Sequence, residues 1–353
     1  MPETTAPQKS VDDYLGPGGQ RFFSAGYRRV GYLFGNITAE TIDARTGVLT
    51  TGIRLTYPSD WSRKVSRGAL RPHLSTIDAI LLAAQLGELY LTHAHRLDER
   101  ARRAMWVRKL RIRAGSSPDE ELDALTISVR PVSMRPDATG AGSTVVLDGR
   151  IGGMRTRCEI AGVTGSPHGH TAAYRDPSQL LGPAENRYYG TGFTRRGHRL
   201  EDLALDIADR SATASVSYTS DGAGIGDAGL GSAYQPAPTM IDLFATSLQL
   251  AQILLYETDS MHRGDSNTLW MRDTELTVDG PQETSQDGLR DGMSLYTALR
   301  ELDLLTMNGA HWRTADIHGR LGPIALRCAV AHALPADQLP APSSLLSASA
   351  EIR

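Results

Sequence analysis

The chain has 353 residues, room for two domains of about 150 each, and its 40% hydrophobic and 22% charged content describes a globular protein. A formal charge of −3 provides no global field for nucleic acid or an anionic membrane, and two cysteines, Cys158 and Cys328, exclude a disulfide framework and an all-cysteine metal site. The opening MPETTAPQKS lacks the basic start and apolar run of a signal peptide, and the apolar stretch Ile77–Leu91 carries Asp78, Gln85 and Glu88, so a soluble cytoplasmic protein is expected.

In chain order, residues 1–20 read as a tail, and RFFSAGYRRVGY at 21–32 then opens a pattern that returns as RYYGTGFTRRGH at 187–198, an offset of 187 − 21 = 166. Strand-like segments follow near 30–38 and 47–57, matched in the second half near 200–208 and 211–219. STIDAILLAAQL at 75–86 aligns with TMIDLFATSLQL at 239–250, an offset of 239 − 75 = 164 that also brings Trp106-Val107-Arg108 onto Trp270-Met271-Arg272. Ile77, Ile80, Leu81, Ala84 and Leu91 recur at helical spacing, which predicts a helix reaching about Arg100, with a more apolar counterpart from Ile241 to Tyr256. A helix apolar on nearly every side is a buried one.

Beyond the first helix, WVRKLRIRAG, LDALTISVRPV and STVVLDGRIGGMRTRCEIAGV alternate in polarity and read as strands separated by turn chemistry. The last block, GRIGGMRTRC at 149–158, meets GRLGPIALRC at 319–328, so the two cysteines are repeat equivalents, expected as packed small residues. LWMRDTELTVDG is a clear strand, whereas SLYTALRELDLLT at 294–306 reads as helical. The Pro/Ser/Ala-rich end, 336–353, reads as a second tail. Four ordered blocks at nearly constant offset indicate a tandem duplication, with units at 21–185 and 186–335. One long buried helix wrapped by an antiparallel sheet, present twice, predicts an α+β tandem hot-dog whose pockets lie between the units, beside the start of a central helix.

Chemistry is expected at those helix starts. Ser75 and Thr239 are good N-caps, and Asp78 and Asp242 three residues later complete capping boxes, which alone accounts for both aspartates. The same position also suits catalysis: free amides at a helix start can polarise a thioester carbonyl, with His73 or Asp78 as general base. Gln85 and Gln249 lie seven residues after their aspartates, as a polar core pair or as substrate contacts. His73 has no counterpart, since the 164 offset places Ala237 there, so one working pocket and one degenerate pocket are expected; a solvated His is the alternative. The loop at 57–73 carries Arg63, Lys64, Arg67 and Arg71 against Asp60 and is either a solvated basic loop or a receiver for phosphate, a pantetheine arm or an acidic carrier protein. Gly224 to Gly229 match GxGxxG, but Pro236 and Pro238 stand where a phosphate-binding helix would begin. His93/His95 and His168/His170 lack further ligands at zinc spacing, so neither metal nor another cofactor is expected.

The order RFFSAGY, YPSDWS, HLSTIDAI over roughly residues 12–115 resembles the bacterial avirulence protein D family. That resemblance implies synthesis of acyl-sugar signals of the syringolide type, in which a β-ketoacyl group is joined to a pentulose. The helix motif is also similar to double hot-dog polyketide dehydratases and γ-butyrolactone synthases. The chain departs from the dehydratase pattern: HxxxGxxxxP is missing from the first half, and Gln249 follows Asp242 by seven residues rather than four. Three functions remain open. The first is an enzyme that transfers a β-ketoacyl group from a carrier-protein or CoA thioester to a sugar-like hydroxyl. The second is a dehydratase or cyclase using Asp242, and the third a non-catalytic acyl-binding protein. The expected partners are the thioester and the acceptor, with a homodimer also compatible and neither nucleic acid nor membrane involved.

Overall fold

The computed structural model describes residues 9–61, 71–137, 142–220, 226–261, 269–281, 292–307 and 309–334. Helix α1 (Val11–Leu15) precedes strands β1 (Gly31–Thr41) and β2 (Gly47–Thr56), the long helix α2 (Thr76–His95) and short α3 (Glu99–Ala104). Strands β3 (Trp106–Arg113), β4 (Leu125–Pro136), β5 (Ser143–Ile151), β6 (Met154–Val163) and β7 (His170–Tyr174) lead to α4 (Ser178–Leu181). The second half supplies β8 (Arg196–Asp206), β9 (Ser211–Ser220), α5 (Met240–Thr258), β10 (Trp270–Val278), β11 (Met293–Met307), β12 (Ala310–Leu321) and β13 (Ile324–Ala333).

Among the described residues, thirteen strands join one antiparallel sheet in the order β7-β1-β2-β4-β5-β6-β3-β10-β13-β12-β11-β9-β8. The run β1-β2-β4-β5-β6-β3 is repeated by β8-β9-β11-β12-β13-β10, so both halves have one topology and meet edge to edge at β3–β10. Arg111 lies opposite Glu275 in that seam, two residues separated by the repeat offset itself, 275 − 111 = 164. The offset read from sequence is therefore the symmetry of the seam. Each half wraps its sheet around one helix, α2 or α5, which is the tandem hot-dog architecture.

The apolar composition of the helices requires that placement. Every residue of α2 is buried, as is most of α5. Gly87 lets α2 approach the sheet, since a Cβ there would meet Ile160 Cδ1 at 2.5 Å. Cys158 and Cys328 sit at equivalent buried places on β6 and β13, and burial pushes both thiols up to about 12.

Three expectations are corrected. The first helix ends at His95, because Arg96 adopts the left-handed cap (φ 53°), and α3 is a separate turn. Residues 294–306 form strand β11 rather than a helix. Its register shifts between Arg300 and Asp303, with Glu301 at φ 48°, so a bulge breaks the period of two. Val11 and Leu15 of α1 are buried in the core, so the segment before Arg21 is no loose tail; Ser10 and Asp13 cap that helix reciprocally. Strand β7, which pairs with β1, is an element that the sequence pattern does not predict. The basic residues Arg63, Lys64 and Arg67, the front of GxGxxG (Gly224, Ile225) and the C-terminal tail lie outside the described residues.

Candidate active site

Two cavities are related by the repeat. The first, of about 150 Å³, lies between the halves and is lined by His73, Ser75 and Thr76 at the start of α2 and by Tyr256, Trp270 and Met271 from the second half. The second, of about 70 Å³, exchanges the roles: Ala237, Thr239 and Met240 at the start of α5 face Trp106 and Val107 from the first half. Each repeated tryptophan thus walls the cavity that the other half's helix opens.

The start of α2 is built by its capping box. Ser75 Oγ accepts from the Asp78 amide at 3.3 Å, and the Ser75 amide and hydroxyl donate to Asp78 Oδ2 at 2.9 and 2.7 Å. Two phenols close the carboxylate from behind. Tyr32 donates to Oδ1 at 2.5 Å, and Tyr57 donates to Oδ2. Asp78 has 0% exposure. Burial raises its pKa, partly offset by these hydrogen bonds. The capping reading of Asp78 is therefore structural fact, and the carboxylate lies behind Ser75 rather than on the cavity wall. Ser75 and Thr76 are what the helix start presents to the cavity, and the Thr76 amide, in the first turn, has no intrahelical acceptor.

His73 also lines the cavity, half-buried, its ring edge-on to Trp61 with centroids 5.4 Å apart and Nδ1 3.5 Å from the Arg71 carbonyl. Tyr57 stacks on Phe22 and meets Trp61 edge to face, so an aromatic shelf joins the Asp78 cap to the cavity. Arg21 and Gln252 share the lining. Their repeat equivalents, Arg187 and Glu88, are a buried pair 3.8 Å apart that fills the corresponding place in the other half.

The start of α5 has the same box but a different counter-group. Thr239 donates to Asp242 Oδ2 through its amide (2.7 Å) and hydroxyl (3.0 Å), and Arg196 Nη1 donates to the same oxygen at 2.8 Å. Arg196 is 1% exposed and also donates to Ala237 O and Gln235 Oε1, both at 2.9 Å. Its repeat equivalent is Val30. Asp242 thus belongs to a buried ion pair and lines neither cavity.

The remaining predicted residues are placed as follows. Gln249 is 1% exposed, and its two amide hydrogens are shared among Phe23 O at 3.1 Å, Ala245 O at 3.1 Å and His198 Nε2 at 2.9 Å, tying α5 to the first half. Burial pushes His198 down to about 4, so it accepts as a neutral ring. Gln85 is 4% exposed on α2 and, like Gln249, lines neither cavity, because seven residues along a helix carry each glutamine into the sheet-wrapped interior. Arg71 is exposed, 3.7 Å from Glu120, and Arg63 lies outside the described residues. Sequence reasoning missed Tyr32, Tyr57 and the cavity walls Trp61, Gln252 and Trp270. The only signals for them were the YPSDWS motif and the repeated Trp.

The family model described as Pseudomonas avirulence D protein matches residues 7–335. No curated protein matches the sequence. Among solved structures, a conserved Mycobacterium tuberculosis protein described as having a double hotdog fold is 14% identical, with 75% of this chain and 83% of that one covered and a TM-score of 0.36. A protein described as an oleoyl thioesterase from Lactobacillus plantarum is 10% identical (82% and 98% covered, TM-score 0.40). The dehydratase domain from the CurJ module of the curacin polyketide synthase is also 10% identical (85% and 98% covered, TM-score 0.34).

Proposed function

The chain belongs to the avirulence D protein family, and on that premise we propose that it is a biosynthetic enzyme acting on a β-ketoacyl thioester, which it transfers to a sugar-like hydroxyl acceptor. The observation that carries this reading is the first cavity: an aromatic-walled space that brings together an open helix start, a serine held by a buried carboxylate, and a histidine. The thioester carbonyl oxygen sits against the Thr76 amide at the helix start, which stabilises the negative charge that develops as the acceptor oxygen attacks. His73 takes the acceptor proton and returns it to the departing thiolate. Ser75 holds the acyl group by hydrogen bonding, and Asp78 positions Ser75 and Tyr57 rather than touching substrate. The acceptor C–O bond forms, the C–S bond breaks, and one thiol is released for each ester.

The test is incubation with a β-ketoacyl thioester and a ketose or ketose phosphate, following thiol release and the ester product. Acceptor-dependent release that falls by about a hundredfold in His73→Ala supports the reading. Wild-type release from that variant would overturn the site. Loss of water without thiol release would favour the dehydratase or cyclase reading, which the enclosure of Asp242 by Arg196 disfavours.

A further inference from the structure

A groove of about 550 Å³ lies on the outer face of the first unit's sheet, away from α2. Its lining includes Arg111, Arg113, Arg130, Arg150, Arg155 and Arg157, with Asp148 as the acid among them. In strand register, Arg111 is opposite Arg157, and Arg155 is opposite both Arg113 and Arg150. Like charges directly opposite one another destabilise a sheet, so a protein with a net charge of −3 concentrates repulsion on this face. Asp273 pairs with Arg111 and Arg113, and Asp148 with Arg157 and Arg130. Among the described residues no ion pair is found for Arg150 or Arg155, both exposed.

The second unit repeats the feature only in part, keeping Arg320 and Arg327 at the positions of Arg150 and Arg157. Glu275, Thr277, His318 and Ala325 occupy the positions of Arg111, Arg113, Asp148 and Arg155. The denser basic face therefore accompanies the half whose helix start carries His73. The two are also joined in the chain: Met154 and Ala114 line the first cavity, and their neighbours Arg155 and Arg113 line the groove.

We propose that this face docks an acidic carrier protein that delivers the acyl thioester to the cavity around the β5–β6 hairpin. The inference rests on the thioester reading above and decides between its two donors, carrier protein and CoA. From β4 to β3 the arginines span three strand spacings, about 14 Å, which suits a helix of about 10–12 Å diameter lying across them. The side chains are spread over an open face instead of converging on one point, as the phosphates of a nucleotide would require.

The experiment measures binding of a fluorescently labelled acyl carrier protein to the full chain at low and high salt, with Arg150→Glu/Arg155→Glu as the test variant. Arg320→Glu, at the second unit's equivalent of Arg150, is the control. Expected are binding that weakens about tenfold or more with salt, loss of binding in the double variant, and wild-type binding in the control. The melting temperature of the double variant should not fall, because the acid introduced by Arg155→Glu would lie opposite an arginine on β3. On a carrier-borne β-ketoacyl thioester the double variant should raise KM at least about tenfold at unchanged kcat. On the N-acetylcysteamine thioester of the same acyl group, KM should not change. Binding without any thiol release leaves docking standing and removes the proposed reaction. Wild-type binding by the double variant overturns the docking proposal, as does absence of carrier binding together with adenosine 3′,5′-bisphosphate binding at the groove.

Discussion

Asp78 and Asp242 hold the same place in two copies of one helix start, and their surroundings have parted. Asp78 meets two phenols and a serine, all neutral donors; Asp242 meets the guanidinium of Arg196, where the first unit has Val30. Arg196 also grips the Ala237 carbonyl and the Gln235 side chain, which locks the approach to α5. The start of α2 carries His73 instead, and its cavity is about 150 Å³ against about 70 Å³ for its mate. The comparison teaches that one capping motif can be held by neutral donors in one copy and by a buried cation in the other while the motif itself stays intact.

The comparison can be broken most severely at the ion pair. Arg196→Ala leaves a buried carboxylate uncompensated and should cost about 3–5 kcal/mol in urea unfolding. Arg196→Met with Asp242→Asn should recover much of that loss; equal damage in both would show that the pair is more than local charge balance. The next effect is catalytic. His73→Ala should lower thiol release by about a hundredfold, about 2.7 kcal/mol, with unchanged melting, whereas Ala237→His should add no activity in the second cavity.

Asp78→Asn should destabilise by about 1–3 kcal/mol, because an amide cannot accept from all the hydroxyls that converge on the carboxylate. Its pH signature is distinctive. A carboxyl whose folded pKa is raised gives stability that is fully present below the unfolded value, 3.8, and is lost as pH rises through the folded value. The wild type should therefore lose stability relative to Asp78→Asn as pH rises from below about 4. A gap that is flat with pH would contradict the neutral-donor picture. The smallest effects are the caps. Ser75→Ala and Thr239→Ala should each cost about 1 kcal/mol, but only the former should change thiol release.

Much of this architecture is legible in the sequence. The repeat can be read because both helix starts keep their caps and both seam strands keep Trp and Arg. The symmetry follows from the offset, and the absence of His73 from the second unit is visible at Ala237. The partners of Asp78 are not legible, since Tyr57 and Tyr32 lie 21 and 46 residues away in the chain. Arg196 is visible as an unlike residue within a matched block, but only the fold shows that it reaches Asp242. Strand β11 reads as a helix because Ala298 and Leu299 are adjacent and both buried, and the bulge that follows moves the alternation out of phase. Gln85 and Gln249 share a helix face with the aspartates, and nothing in their spacing says that this face turns into the sheet beyond the first turn.

The seam has one more consequence. In a homodimer, a residue on the twofold axis must face its own copy, so Arg111 would oppose an arginine and Glu275 a glutamate. Joining the copies in one chain removes that obligation. Arg111 now faces Glu275, while Lys109 Nζ reaches Glu275 at 3.0 Å and Arg111 reaches Asp273 at 2.6 Å. The same freedom allows one subunit's worth of sequence to specialise without damaging its twin. Fusion, read in this seam, replaces recognition of a like edge by recognition between two unlike ones.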